Sequence, residues 1–283
     1  MDVFQRVLTY NEGRDPERLQ MKLAAMQRNP FTFLRGACHL FYEDWHTQLN
    51  ALKSPNAWIC GDLHLENFGT YKAENGLAYF DLNDFDESAL APCLWELSRL
   101  LTSLLVAADT LKLKPKQTEV LLDSMIHRYA NALAMGKPKW VERKTAKGMI
   151  RTLLSSLSKR TQQDFLASRT ITKGGLTQLI IDKERTLKLD KAQKQAALDR
   201  FKSCMEVTSK KDYFYPLDIA RRIAGTGSLG VERYAVLVNG EGKGNFALID
   251  MKATQVSALS PYLVVPQPTW NSESERVAAI QSG

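Results

Sequence analysis

The sequence predicts an α+β protein in two parts, helix-rich over residues 1–215 and β-rich over 216–283. Three observations carry this. Apolar residues recur at three- and four-residue steps from Pro16 to about Leu52, and again from Leu94 to Leu105. Two short apolar runs flank Asn75-Gly76, the strongest short-range signal for a hairpin. After Pro216, a glycine cluster gives way to two strand-like runs.

The bulk properties narrow the classes. With 283 residues, 44% of them hydrophobic and 24% charged, the chain reads as an ordinary soluble protein with ample core. No secretory signal opens it, and the apolar stretch around Leu100–Ala108 is too short to span a bilayer, so no membrane partner is expected. Cys38, Cys60, Cys93 and Cys204 lie far apart without a CxxC pair, and read as reduced, mostly buried thiols in a cytoplasmic protein. The net charge of +7 is uneven: residues 137–202 hold 17 Lys+Arg against 6 Asp+Glu, a balance of +11 that leaves the rest at −4. Such a segment can meet a polyanion. Its charges, however, interleave with Ile150, Leu153, Leu154 and Leu157, and no zinc-finger, RNP or stacking pattern accompanies them. A solvated helical face is the better reading, which argues against a nucleic-acid partner.

Taken in order, residues 1–16 form a loosely tied lead-in. Leu19, Leu23 and Met26, then Phe33, Phe41, Trp45 and Leu49, mark two helices separated at Asn29-Pro30. Arg35 and His39, four apart on the second, read as a structural pair. Ala57–Cys60 and Leu77–Phe80 are then the strands of the Asn75-Gly76 hairpin. That arrangement gathers Asp62, Asn67 and the cluster Asp81, Asp84, Asp86, Glu87 at one end. Carboxylates held that close repel unless a cation or proton sits between them. Few hard oxygen ligands, completed by water or phosphate, suit magnesium. The plainer alternative is a solvated acidic turn with an Asx cap. Leu94 to Leu105 form an amphipathic helix running to about Asp109. Residues 115–202 read as further helices, broken near Gly136-Lys137-Pro138 and at Lys173-Gly174-Gly175.

In the β-rich part, Gly225-Thr226-Gly227-Ser228-Leu229-Gly230 runs into a strand (Tyr234–Val238), a turn (Asn239–Gly244) and a second strand (Phe246–Lys252). A GxGxxG pattern alone is weak. In a dinucleotide-binding unit its glycines would open a helix. Here they precede two strands, the second ending in lysine, which is the layout of a glycine flap over nucleotide phosphates. Gly225, Gly227, Ser228, Gly230 and Lys252 are therefore the candidate nucleotide-binding residues. A glycine-rich hairpin without a ligand remains the alternative.

Asp62 followed five positions later by Asn67, with an aspartate cluster beyond a hairpin, resembles the catalytic core of the protein-kinase-like fold. The Gly61-Asp62-Leu63-His64-Leu65-Glu66-Asn67 form is closest to the aminoglycoside and choline phosphotransferase branch. Asn29-Pro30-Phe31 with Arg35-Gly36, the GDLHLENFG and FDLNDFDE runs and the AGTGSLG…MKA stretch are similar to one bacterial family, domain of unknown function 2252, grouped with kinase-like proteins. The likeness extends from about Gln27 to Arg276, and its two acidic motifs are highly specific.

What the resemblance implies is a kinase-like fold in permuted order, with a helix-rich catalytic lobe preceding a small β-rich glycine-loop lobe. Asp62 matches the catalytic base and Asn67 a metal ligand. Asp84 is the matching magnesium aspartate, with Asp81 and Asp86 as rivals. Lys252 matches the phosphate lysine, with Glu275 as its ion-pair partner and Glu273 nearly as suitable. His64 orients the loop. Magnesium and ATP are the implied cofactor and co-substrate, with an unidentified hydroxyl, small-molecule or protein, as acceptor. Three departures stand out. Cys60 replaces the histidine common before Gly-Asp, the glycine flap begins 163 residues after Asp62, and the strands and adenine-gripping hinge expected beyond residue 280 are not visible, as in a truncated family member. A pseudokinase that binds nucleotide without turnover is the main alternative, and a polyanion-binding module the second. A metallophosphoesterase would need more histidines than His39, His46, His64 and His127.

Overall fold

The computed structural model describes residues 2–73, 75–157, 160–206, 214–240 and 245–282. Helices α1 (Val3–Tyr10), α2 (Pro16–Met26), α3 (Pro30–Gly36) and α4 (Cys38–Ala51) open the chain. Strands β1 (Asn56–Ile59), β2 (Phe68–Lys72), β3 (Ala78–Leu82) and β4 (Ala89–Pro92) lead into α5 (Cys93–Ala107) and α6 (Pro115–Met135). Next come α7 (Gly148–Leu157), α8 (Gln162–Ala167), β5 (Thr170–Lys173), β6 (Leu176–Leu179), β7 (Thr186–Leu187) and α9 (Lys191–Glu206). Strands β8 (Tyr215–Arg222), β9 (Arg233–Asn239) and β10 (Phe246–Lys252), a 3-10 turn at Ser260–Tyr262 and α10 (Glu273–Ser282) complete a mixed α+β fold with several small sheets.

The chain divides into two units, the first formed by residues 1–12, 21–158 and 254–283 and the second by 13–20 and 159–253. Tyr215 and Pro216, where the sequence alone divides the chain, lie together on β8 of the second unit. Among the described residues no helix is long and apolar enough to cross a membrane.

In the first unit the lead-in is ordered, contrary to the sequence reading. Asp2 caps α1 by accepting from the Gln5 amide, Val7 is buried, and Arg6 pairs with Glu43 and Asp44. The two helices expected over 16–52 are three. Gly36 ends α3, and a Cβ on it would lie 2.4 Å from Met26 Cγ, so α2 and α3 approach too closely for a larger residue. Arg35 and His39 accordingly sit on different helices; Arg35 pairs with Glu66, and His39 stacks on Tyr10 with ring centroids 3.8 Å apart. One core gathers Tyr42, Ile59, Ala91, Trp95 and Leu259, and a smaller one Val7, Met26, Ala37 and Leu40.

The leucine stripe of α5 is not its most buried face. Trp95, Arg99 and Ser103, at four-residue steps, are each 0% exposed, whereas Leu105 is 53% exposed.

In the second unit, an antiparallel sheet runs β10-β9-β8-β7. Its β9 is buried on both faces. Val236 and Val238 pack with Phe201 and Ala197 of α9, while Ala235 and Leu237 pack with Leu179 of β6. Such a two-sided strand reads as a continuous apolar run, which made it legible. Residues 170–173, 176–179 and 186–187, expected as helix, are strands instead: Gly174 and Gly175 have φ of 56° and 75° and close the β5–β6 hairpin rather than breaking a helix. The turn expected at Asn239–Gly244 lies largely outside the described residues. All four cysteines are free thiols; Cys38 and Cys60 are buried, Cys93 half-buried and Cys204 exposed.

Candidate active site

The Asn75-Gly76 turn does close a hairpin, but not the one expected. Its first strand is β2, which pairs with β3 from Phe68↔Leu82 to Lys72↔Ala78. The run Ala57–Ile59 belongs to β1 and pairs with β4, ending at Ile59↔Ala89. Loop 60–67 therefore leaves β1 and enters β2, while loop 83–88 leaves β3 and enters β4. Pairing at both ends sets the loops side by side. The Asn83 amide donates to Asn67 O (3.0 Å), and Gly61, at φ +81°, lies so close to Glu87 that a Cβ would sit 2.2 Å from its carbonyl oxygen.

Asp62 projects from the first loop and is held by a residue that the sequence reading missed. The Arg99 guanidinium donates from Nε (3.0 Å) and Nη2 (2.6 Å) to Asp62 Oδ1, and from Nη2 to Leu34 O (2.8 Å). It also lies 4.9 Å from the Phe41 ring centroid. Burial works against this charge, but Asp62 more than offsets it and holds the Arg99 pKa above its ordinary value. Asp62 Oδ1 is thus committed to Arg99, and the buried Cys38 thiol is a further hydrogen-bonding neighbour of the carboxylate. Tyr42 donates its hydroxyl to Gly61 O, and Glu96 accepts from the Cys60 amide (3.1 Å).

Asn67 is buried and donates Nδ2 to Asp62 O (3.1 Å) and toward Cys60 Sγ (3.8 Å). Its amide nitrogen is spent on the loop, which leaves Oδ1 as the side-chain atom not used there. His64 accepts from the Glu66 amide at Nδ1 (3.2 Å) and gives its carbonyl to the Asn67 amide (2.9 Å). Burial draws His64 down to about 4, so the ring is neutral. Burial likewise pushes the Cys60 thiol up, so it is protonated.

Of the acidic cluster, Asp81 lies within β3 opposite Gly69 and is exposed. Asp84 and Asp86 lie on loop 83–88, where Asp84 Oδ1 accepts from the Asp86 amide (3.2 Å). Glu87 accepts from the Ala258 amide and is pushed up to about 7, chiefly by burial, with Asp62, Asp86 and Asp84 adding to it. Arg276 of α10, also missed, anchors this loop. It donates from Nη1 to Ser88 O (2.5 Å) and from Nη2 to Asp86 O (2.8 Å), while Nε pairs with Glu273 (2.6 Å). Glu275 accepts from the Asn271 amide (2.6 Å) and side chain (2.8 Å) at the start of the same helix.

Among the described residues no group of three or more His, Cys, Asp or Glu is placed to hold a metal ion. An all-protein cage for zinc or calcium is therefore not formed there. Asn67 and Asp84 lie on the two adjacent loops.

The glycine turn and Lys252 belong to the second unit. Gly225–Gly230 links β8 to β9, with its carbonyl side tied down: Arg14 donates to Gly227 O (2.7 Å) and Leu229 O (3.1 Å), and the Asp15 amide to Gly230 O (2.9 Å). Lys252 ends β10 opposite Arg233. Two residues before it, Asp250 takes both Arg233 (2.5 Å) and Arg222 (3.2 Å).

A family model described as "Uncharacterized protein conserved in bacteria (DUF2252)" matches residues 14–282. No curated protein and no solved structure matches the chain.

Proposed function

The chain belongs to this bacterial family, and we propose that it is a kinase-like phosphotransferase using ATP and magnesium. What supports the reading is the antiparallel pairing that sets the Asp62–Asn67 loop against the Asp84–Glu87 loop. Phosphoryl transfer asks little covalent chemistry of a protein beyond a positioned base, a cation and cover for the phosphates. Asp62 is the base: with Oδ1 fixed by Arg99, Oδ2 accepts the proton of the attacking hydroxyl. Asn67 Oδ1 and Asp84, with Asp86 as neighbour, hold magnesium, which when bound neutralises charge on the phosphates. Lys252 and the turn Gly225, Gly227, Ser228, Gly230 are the second unit's candidate nucleotide-binding residues. His64 stays neutral and shapes the loop. The acceptor is a hydroxyl of a small molecule or protein, and free thiols fit work in the cytoplasm.

Thermal denaturation with ATP and magnesium tests this. The parent chain is stabilised by the pair, and Asp84→Ala and Lys252→Ala both lose that stabilisation. No shift in the parent removes the reading. A second reading, a nucleotide-binding pseudokinase, is favoured by the buried, protonated Cys60 beside Asn67. Loss of ATP over time selects the enzyme, and binding without loss selects the pseudokinase.

A further inference from the structure

The second unit contains a cavity of about 80 Å³ on the sheet face that carries Ala235 and Leu248. Three arginines line it: Arg169, Arg185 and Arg222, against one carboxylate, Asp182. Two have acidic partners. Arg185 pairs with Asp182 (2.7 Å) and Arg222 with Asp250 (3.2 Å). Arg169 has no ion pair among the described residues, and its Nε is buried without a hydrogen-bond acceptor there. Its guanidinium carbon lies 5.4 Å from the Phe165 ring centroid, a contact that gives its N–H groups no acceptor oxygen.

Folding alone does not favour this arrangement. Burial lowers the Arg169 pKa, and Arg185 and Arg222 lower it further, so like charges are being held together. The adjoining turn is cross-linked by one carboxylate: Asp182 accepts from the Glu184, Arg185 and Thr186 amides as well as from the Arg185 side chain. Three guanidinium groups gathered at one cavity of phosphate size, one of them without an ion pair among the described residues, are what binds an oxyanion.

We propose that the cavity lined by Arg169, Arg185 and Arg222 binds a phosphate group. The site is independent of the phosphotransfer reading. The glycine turn does not line it, and Asp250 with its two arginines stands between Leu248 and Lys252 along β10.

Isothermal titration of the full chain with inorganic phosphate, against chloride at equal ionic strength, tests the assignment. The parent binds phosphate saturably; Arg169→Gln, which removes the cation without breaking an ion pair, weakens binding at least tenfold. Arg169→Lys keeps the charge but not the planar fork, and also binds more weakly. This titration contains neither ATP nor magnesium, so failure of the ATP–magnesium reading and failure of this one are told apart. ATP without magnesium competes if the phosphate is that of a nucleotide; absence of competition assigns free phosphate. No saturable binding in the parent, or equal affinity in Arg169→Gln, overturns the proposal.

Discussion

Arg99 and Asp62 form an ion pair whose cation is fully buried and whose anion is not: their side chains are 0% and 20% exposed. The asymmetry makes the carboxylate the accessible partner and the arginine its mount. Deleting the partner of a buried charge costs more than deleting a surface pair, because the remaining charge is left uncompensated.

Asp62→Ala is therefore expected to destabilise the chain by about 3–5 kcal/mol, since it strands Arg99. Asp62→Asn keeps an acceptor near Nε and Nη2 and should lose markedly less. Urea midpoints at constant slope separate the two, and an equal loss for both would show that the pair carries no such asymmetry.

His64 and Glu87 tilt stability against pH in opposite senses. His64 falls from 6.5 to about 4 on folding, so the unfolded chain holds the extra proton and stability drops as pH falls through that window. Glu87 rises from 4.5 to about 7, so the folded chain holds the extra proton and stability drops as pH climbs from 4.5 toward 7. Relative to the parent, His64→Asn should gain at pH 4.5 and Glu87→Gln should gain at pH 7.5, each by on the order of 2 kcal/mol. Denaturation series from pH 4 to 8 read both differences. Parallel curves for the three chains would refute the assignment.

Two glycines with similar backbone angles should differ sharply. A methyl group added to Gly61 (φ +81°) would sit 2.2 Å from the Glu87 carbonyl oxygen, whereas one on Gly76 (φ +77°) would meet nothing within 4 Å. Gly76→Ala meets only backbone strain, about 1 kcal/mol. Gly61→Ala adds a clash with main chain that forces the two loops apart, and is expected to lose more than about 3 kcal/mol or not to fold. Melting temperatures of the two variants, side by side, decide it.

Arg276→Met keeps much of the side chain's apolar bulk but releases the Ser88 and Asp86 carbonyls. Amide hydrogen exchange over residues 84–88 is expected to accelerate while β9 stays protected. Unchanged exchange in that loop would mean that the arginine only fills space.

Much of the arrangement was legible because local chemistry agreed with the global fold. The Asn75-Gly76 turn, the strand Phe246–Lys252 and the end of α6 at Gly136 all carry short-range signals. What escaped was partner choice: nothing near Ala57–Ile59 reveals that it pairs with Ala89–Pro92 rather than with the hairpin. Gly174-Gly175 was misjudged because two glycines stop a helix and turn a hairpin equally well; the β-branched Thr170, Ile171 and Thr172 before them were the deciding clue. The nearness of Asp62 and Asn67 to the acidic cluster is legible in their spacing, whereas Arg99 is hidden by the leucines around it. The four-residue rhythm Trp95, Arg99, Ser103 was visible, but only burial reveals which face of α5 turns inward. Arg276 lies 190 residues from Asp86, beyond the reach of any local pattern.

The first unit is written in pieces on either side of residues 159–253. Its core joins Trp95 to Ala258, 163 positions later. At translation speeds of about 5–20 residues per second, the tryptophan waits on the order of ten to thirty seconds for its final neighbours. Nearly all of the second unit emerges in that interval as one uninterrupted stretch, able to close its own sheet first. The unit made earliest is thus the one completed last, and nascent chains stalled before Leu259 expose an unfinished interior to chaperones and proteases.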